Sequence, residues 1–499
     1  MQSLDFIQWA AALSYLLFIA AFGAICGSFI NVLAYRLPRG MNIVVPPSAC
    51  PHCGTKLTWR ENFPIFGWLW LRGKCRFCKS SISPEYPIVE AIVALVFALV
   101  FALWFMYPSV LTPLGIDVGY WKPEWALAGM WRMWPVFFAV LALIGSFVAA
   151  TIIDAKTFTI PIAIPWFATA IGFIAHPLAA ARISQNRSPL FAGHDWAIPL
   201  AHGPLLGLAI GGIAGIGIAI VLLRLNILPL SFADYEEWEK AHIQDVTQQA
   251  EPADDASTGD QIPMSVVFRR VLFLTGPALT LMFLGYAAGM QIGKPIPLMT
   301  IGLAIGLLIG LPLRRLAEPS RDGDASEEPI WSFYPHIRRE MVKEMLFLTP
   351  CALLAALGMW LTRDGGPLEG AAASAPLWLR ALGGSILGYL AGGGLIWGIR
   401  IAGSLAFGKE AMGLGDVHLM AAAGAVLGWI DPTLAFFTAP FLGLSWAALS
   451  LLSSSIFKRA GTAMPYGPHL ATATLLVLLL KPLFEWGLTN IFNQPIDIP

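Results

Sequence analysis

The stretch Lys409-Glu410-Ala411-Met412-Gly413-Leu414-Gly415-Asp416 runs directly into an apolar, small-residue segment from Val417 to Ile430. That segment reads as the start of a membrane-embedded helix, so Asp416 sits at its mouth, where an unpaired charge is expensive. Gly413 and Gly415 remove side-chain bulk beside the aspartate, which lets another backbone or helix come close. Close approach is what a site built from two carboxylates requires.

Composition agrees with a membrane setting. The 499 residues are 57% hydrophobic and 12% charged, with a mean hydropathy of +0.68, a balance that ordinary soluble domains do not approach. Formal net charge is zero, so nothing in the overall balance points to a nucleic-acid partner. The apolar run within Met1 to Ala34 has no Lys or Arg before it and no small-residue cleavage site. It reads as a retained first span rather than a secretory signal. Arg36 and Arg39 follow it, which orients the amino terminus outside and the next loop in the cytoplasm.

About 20 apolar residues are needed to cross the hydrocarbon of a bilayer. Runs of that kind lie near 9–33, 86–107, 132–153, 162–180, 199–224, 268–290, 296–313, 344–362, 376–405, 411–430, 432–454 and 466–486. The run at 411–430 is short enough to be a half-helix. Alternation then puts 34–85, 154–161, 225–267, 314–343, 406–416 and 455–465 on the cytoplasmic side, and most of the Lys and Arg fall there. The dissenters are Arg182, Arg187 and Arg363. The expected fold is an all-α polytopic integral membrane protein of roughly 10–12 transmembrane helices, with a small cytoplasmic zinc-binding loop domain.

The organisation expected is a first span at 1–33, a four-cysteine cytoplasmic loop at 34–85, a membrane core with Asp154 at 86–224, and an acidic cytoplasmic insert at 225–267. Extra spans at 268–315, a charged insert at 316–343 and a second part of the core with Asp416 at 344–499 complete it. Both inserts read as solvated segments, partly disordered. Gly203, Gly207, Gly211 and Gly215 recur every four residues, as do Gly384, Gly388 and Gly392. No strand-turn-helix context suits them to a phosphate loop, so they read as close helix-packing ladders.

Four of the six cysteines form Cys50-Pro51-His52-Cys53 and Cys75-Arg76-Phe77-Cys78, with twenty-one residues between the pairs. Paired CxxC motifs at this spacing build tetrahedral thiolate zinc sites. Four thiolates leave no vacancy for water, so the zinc would be structural. Disulfides are the competing reading, disfavoured in a reducing compartment. His52 and His469 read as ordinary polar residues, and Cys26 and Cys351 as small hydrophobes within spans.

Asp154 ends the third span in Thr151-Ile152-Ile153-Asp154 and, by alternation, shares a membrane face with Asp416. Two nearby carboxylates in a partly dry site repel and can share one proton. One can deprotonate a water while the other protonates the carbonyl or the leaving amine, which is amide hydrolysis with no metal required. The plainer reading of each acid is a helix cap or a topology determinant. Asp5, Asp364 and Asp431 fall on the opposite face.

These residues resemble the type IV prepilin leader peptidases, bifunctional peptidase and N-methyltransferase enzymes of bacterial membranes. The likeness is carried by Gly27-Ser28-Phe29-Ile30-Asn31-Val32 with Arg36-Leu37-Pro38, the paired CxxC loop, Pro84 to Glu90, Asp154 to Pro161, Lys409 to Asp416, and Met464-Pro465-Tyr466-Gly467-Pro468. The resemblance implies that Asp154 and Asp416 are the catalytic pair and that prepilins and type II secretion pseudopilins are the substrates. It also implies methylation of the new amino terminus by S-adenosylmethionine, at the bacterial inner membrane with the catalytic face cytoplasmic. No methyl-transfer residue is identifiable in residues 34–85. Ile162 and His418 depart from the family's pattern, and the region between about 181 and 380 exceeds its length. Two other readings use the same aspartates: a presenilin-like intramembrane protease, and a proton-coupled transporter.

Overall fold

The computed structural model describes residues 2–106, 122–184, 198–241, 334–457, 466–495 and 498. The described residues form helices and no strands, apart from two isolated bridges, Ala49 with Lys56 and Lys74 with Ser81. They group into two units. The first holds 2–106, 122–184, 198–231, 336–457, 466–482 and 498; the second holds 232–241, 334–335 and 483–495.

The long helices are α1 (Gln2–Arg36), α3 (Glu85–Phe105), α4 (Met130–Thr157), α5 (Ala163–Ser184), α6 (Gly203–Arg224), α7 (Ile337–Thr362), α9 (Leu377–Phe407) and α11 (Ile430–Phe457). Shorter ones are α2 (Phe66–Trp70), α8 (Glu369–Ala373), α10 (Leu414–Leu427), α12 (Gly467–Leu479) and α13 (Lys481–Phe492). Among the described residues seven helices are long and apolar enough to cross a membrane, so the architecture is multi-pass. The expected spans near 268–290 and 296–313 lie outside the described residues, as do 242–267 and 316–333 of the two inserts.

The structure agrees with the half-helix reading of one apolar run and alters two others. The run 411–430 is a 14-residue helix, about 21 Å long at 1.5 Å per residue, and it falls short of the ~30 Å hydrocarbon thickness. The run 466–486 is broken at Leu480 into α12 and α13. Finally, α7 begins at Ile337 rather than 344, so Arg338, Arg339, Glu340 and Lys343 are helical and not part of a solvated insert. Glu340 is fully buried between Arg339 and Lys343, at 2.8 and 3.0 Å, and this pairing lets a charged turn extend an apolar helix.

The short helix α10 is the centre of the first unit. It packs on α4, α5, α9, α11 and α12, and Val417, Leu419, Met420, Ala421, Ala422, Ala423, Ala425 and Val426 are all buried. Small residues make this possible. A methyl on Gly388 of α9 would lie 2.0 Å from the Gly424 carbonyl oxygen, and one on Gly392 would lie 2.4 Å from that of Met420. Gly388 and Gly392 of the second ladder therefore hold α9 against α10 at backbone distance, while Gly384 packs on the Pro199 carbonyl. The first ladder does the same for α6 and α7: methyls on Gly207, Gly211 and Gly215 would meet the carbonyls of Gly358, Leu354 and Pro350 at 2.0–2.4 Å. Gly203 departs from this pattern, with φ +46 at the helix start and open space around it.

A buried helix end must satisfy its last carbonyls. The Ser385 hydroxyl donates to the Ala425 carbonyl and the His176 Nε2–H to that of Val426, at 2.9 Å. Gly428, at φ +91, turns the chain out of the helix and donates its N–H to Gly424.

In the second unit, Phe232, Tyr235, Trp238 and Tyr334 form a ring cluster with centroids 5.2–6.5 Å apart. The Tyr334 hydroxyl donates to Asp234 at 2.8 Å.

Gly388→Ala drives a methyl into a carbonyl and should destabilise the bundle by about 1–3 kcal/mol. Gly398→Ala, on the same helix with nothing within 4 Å of its new methyl, should be neutral or stabilise by up to about 1 kcal/mol. Thermal melts of the two variants in one detergent compare them directly; equal midpoints would remove the packing role of Gly388.

Candidate active site and metal centre

Asp154 lies in the last turn of α4 and is 5% exposed; Asp416 lies in the first turn of α10 and is 7% exposed. Local sequence explains both placements. After Asp154 the chain leaves the helix at Phe158, whose φ of +53 is left-handed and whose N–H closes on the Asp154 carbonyl at 2.9 Å. Gly413 is the extended N-cap of α10, which makes Asp416 the third helical residue. From there its carboxylate reaches back to the Gly413 N–H, the acidic half of a capping box.

The two acids meet through glycines. The Gly467 N–H, at the start of α12, donates to the Asp154 carboxylate, so a helix N-terminus faces an anion. A methyl on Gly467 would lie 2.4 Å from Asp154 Oδ2 and 3.1 Å from Ile160 Cδ1, and one on Gly415 would lie 2.8 Å from Ile160 Cβ. Ile160 therefore sits between Gly467, beside Asp154, and Gly415, beside Asp416. Asp416 is within electrostatic reach of Asp154, Arg400 and Glu410, and Tyr466 is within reach of Asp416. Tyr466 and Gly467 thus face one acid each, a role that the sequence does not announce. The sequence marks the stretch only as part of Met464 to Pro468, with a Gly-Pro pair opening an apolar run.

Asp431 stands at the far end of α10, buried and paired with Lys481 at 3.3 Å, so it is no part of this site. His469 packs near Gly443.

The loop after α1 is organised by its cysteines. Cys50 to Thr55 and Cys75 to Ser80 form two matching knuckles. In each, the first cysteine's N–H reaches the carbonyl five residues on, and the residue after the second cysteine donates back to the first cysteine's carbonyl. Gly54 and Lys79 both take left-handed φ, at +68 and +62. The four Sγ atoms lie within 4.8 Å of one another, with Cys50 to Cys78 at 3.8 Å and Cys53 to Cys75 at 4.0 Å. A disulfide needs ~2.05 Å, whereas a tetrahedron with bonds of ~2.3 Å has edges of about 3.8 Å. The donor set therefore fits zinc. N–H groups of Cys53 and His52 pull the Cys50 thiol down to about 6, so it is a thiolate at neutral pH, the form that ligates metal.

The loop is bolted to the bundle by the amino-terminal motif. A methyl on Gly27 would lie 2.6 Å from the Glu90 Cα, Asn31 donates to the Tyr86 carbonyl at 3.1 Å, and Arg36 donates to the carbonyls of Asn42 and Pro46. Glu90 accepts from Ile65 N–H at 2.6 Å. Lys156, two residues after Asp154, pairs with Glu85 at the start of α3, which puts Asp154 and the cysteine loop at the same end of the bundle.

Residues 21–104 match the family of the bacterial peptidase A24 N-terminal domain. The chain is also similar to curated proteins named prepilin leader peptidase/N-methyltransferase. One from Pectobacterium carotovorum is 33% identical over 174 residues, 31% of this chain and 50% of the relative. One from Myxococcus xanthus is 40% identical over 117 residues, 21% of this chain and 35% of the relative. A type 4 prepilin-like proteins leader peptide-processing enzyme of Escherichia coli is 35% identical over 167 residues, 30% of this chain and 51% of the relative. The chain thus spans about half the length, or less, of these relatives. No solved structure matches it.

Purified protein should carry about one zinc per chain, the complement of one four-thiolate site. Cys75→Ser should lose most of it and raise amide exchange across residues 49–81 while leaving α10 protected. Metal analysis below about half an equivalent in the parent protein would remove the zinc assignment.

Proposed function

We propose that this chain is a membrane aspartic endopeptidase that removes the short basic leader of type IV prepilins and type II secretion pseudopilins, with Asp154 and Asp416 as its acid–base pair. The observation that carries this reading is the approach of the two acids, joined through Gly415, Ile160 and Gly467, with Asp154 within electrostatic reach of Asp416. Two carboxylates in one secluded site hold a single proton between them. The ionised one takes a proton from a water, whose oxygen then attacks the scissile carbonyl carbon. The protonated one gives its proton to the carbonyl oxygen, forming a tetrahedral diol; as the C–N bond breaks the amine departs with the proton held by the first acid, and a diol hydroxyl returns its proton to the second. Gly467 N–H and Gly413 N–H orient the two carboxylates throughout.

Both acids stand at the bundle end that carries the cysteine loop; the positive-inside count of the sequence supports a cytoplasmic setting for that end, and the family resemblance supports the bacterial inner membrane. A basic leader on that side would present its cleavage site to the acids while the apolar helix of the pilin remained in lipid. Zinc held by Cys50, Cys53, Cys75 and Cys78 supplies a structural crosslink to the loop and takes no part in hydrolysis.

N-methylation of the new amino terminus by S-adenosylmethionine is proposed from the names of the relatives. Beside the loop lies a cavity of about 360 Å³ lined by Ser28, Arg36, Val44, Pro46, Asn62 and Pro64. This is within the range of small-molecule sites. Arg36 is committed to two backbone carbonyls, and the lining supplies no base or methyl-transfer group, so no step is derived there.

Asp154→Asn and Asp416→Asn should each lower cleavage of a pilin-like substrate by at least about 100-fold, the scale of general acid–base catalysis, with zinc content and melting unchanged. Cleavage by either variant near the parent rate would sink the pair, and a transporter would cleave nothing at all. Gly467→Ala removes neither acid but forces Asp154 aside, so kcat should fall by about 100-fold; an unaltered kcat would show that the Gly467 contact does not matter.

A further inference from the structure

Arg400 of α9 is 2% exposed, in a region where a charge must be compensated. One edge of its guanidinium donates to Glu344 of α7, Nε and Nη2 lying 3.0–3.3 Å from the carboxylate oxygens. Trp397 Nε1 donates to the same carboxylate at 2.7 Å. Nη1 on the opposite edge donates to the Glu410 carboxylate and to the Met412 carbonyl. Ser404, one helical turn further along α9, accepts the Ala411 N–H at 3.0 Å. Three consecutive residues before Gly413 are thus tied to one face of α9.

The consequence follows from the peptide bond. The Met412 carbonyl and the Gly413 N–H belong to one rigid trans plane, and the Asp416 carboxylate folds back over that residue, its Oδ2 lying 3.5 Å from where a Cβ on Gly413 would stand. Fixing the carbonyl therefore aims the N–H. Arg400 can do this because its planar fork offers donors on two edges at fixed angles, whereas a lysine ammonium is a point charge that cannot grip both partners with the same geometry. Glu344 holds the fork from behind, and it stands on α7, the helix entered from the charged insert.

We propose that Arg400, braced by Glu344, is a positioning residue for Asp416: it locks the Met412–Gly413 peptide plane that orients the carboxylate. This rests on the reading of Asp416 as half of the peptidase pair, but the clamp itself is testable without activity.

The experiment uses the full chain in detergent or vesicles, with a synthetic pilin-like peptide as substrate, and compares Arg400→Lys, Glu344→Gln and the parent. Zinc content reports whether each variant folds, because no residue of the clamp belongs to the four-cysteine group. Expected for Arg400→Lys is a fall in kcat of about 10- to 100-fold, the scale of an ångström-level misplacement, with KM within about twofold. Amide exchange should rise in residues 408–416 and stay at the parent level in α12. Glu344→Gln keeps the shape and loosens the brace, so it should give the same pattern at smaller amplitude. Should Arg400→Lys fail to retain zinc, Glu344→Gln decides alone. Parent-like kcat with parent-like exchange in 408–416 overturns the clamp, as does a loss spread evenly over kcat, KM and exchange throughout the bundle. If the parent does not cleave, the peptidase reading falls, and the exchange measurement still decides the clamp.

Discussion

A carboxylate inside a helical membrane bundle has to be compensated by fixed dipoles or by opposite charge, and the first unit is arranged around that requirement. Desolvating an ion costs several kcal/mol unless hydrogen bonds replace the lost water. Asp416 receives the N–H of its own N-cap, and Asp154 receives the N–H that opens α12. A helix start is a natural place for this, because its first N–H groups have no partners within the helix. The cost of placing a helix start inside the bundle is a short helix, and α10 is one. The same logic at its other end brings Ser385 and His176 to the last carbonyls.

Small side chains make the arrangement possible. Alanines and glycines along α10 let five helices surround it, and Gly388 meets Gly424 at a distance that no Cβ would permit. In lipid, where apolar surface alone does not drive helices together, such contact is a main source of association. The separate ladder on α6 joins it to α7, and α7 in turn delivers Glu344 to Arg400. A segment with no acid of the pair is thereby connected to the loop that carries one.

The cysteine loop shows a division of labour between motif and site. The amino-terminal signature around Gly27, Asn31 and Arg36 makes its contacts to the start of α3 and to loop carbonyls. These residues hold α1 on α3 and fold the loop over them. The loop buries few large residues of its own, since Trp59, Phe66 and Trp70 are exposed, so a four-thiolate metal would replace a hydrophobic core as its fastener.

Much of this was legible in the chain itself. Hydropathy and the lengths of apolar runs specify a multi-pass helical protein, and CxxC spacing specifies the knuckles. Four-residue glycine repeats specify tight helix contacts, because these are local properties of neighbouring residues. The short run at 411–430 was legible from its length, whereas the break at Leu480 was not, since an interrupted helix has the same composition as a full span. The partners of the acids were not legible at all. Gly467 meets Asp154, Ile160 fits between Gly415 and Gly467, and Glu344 braces Arg400, and each of these pairings joins residues far apart in the chain. Whether such residues touch depends on how helices cross, which is decided by packing around α10 as a whole and is written in no single stretch.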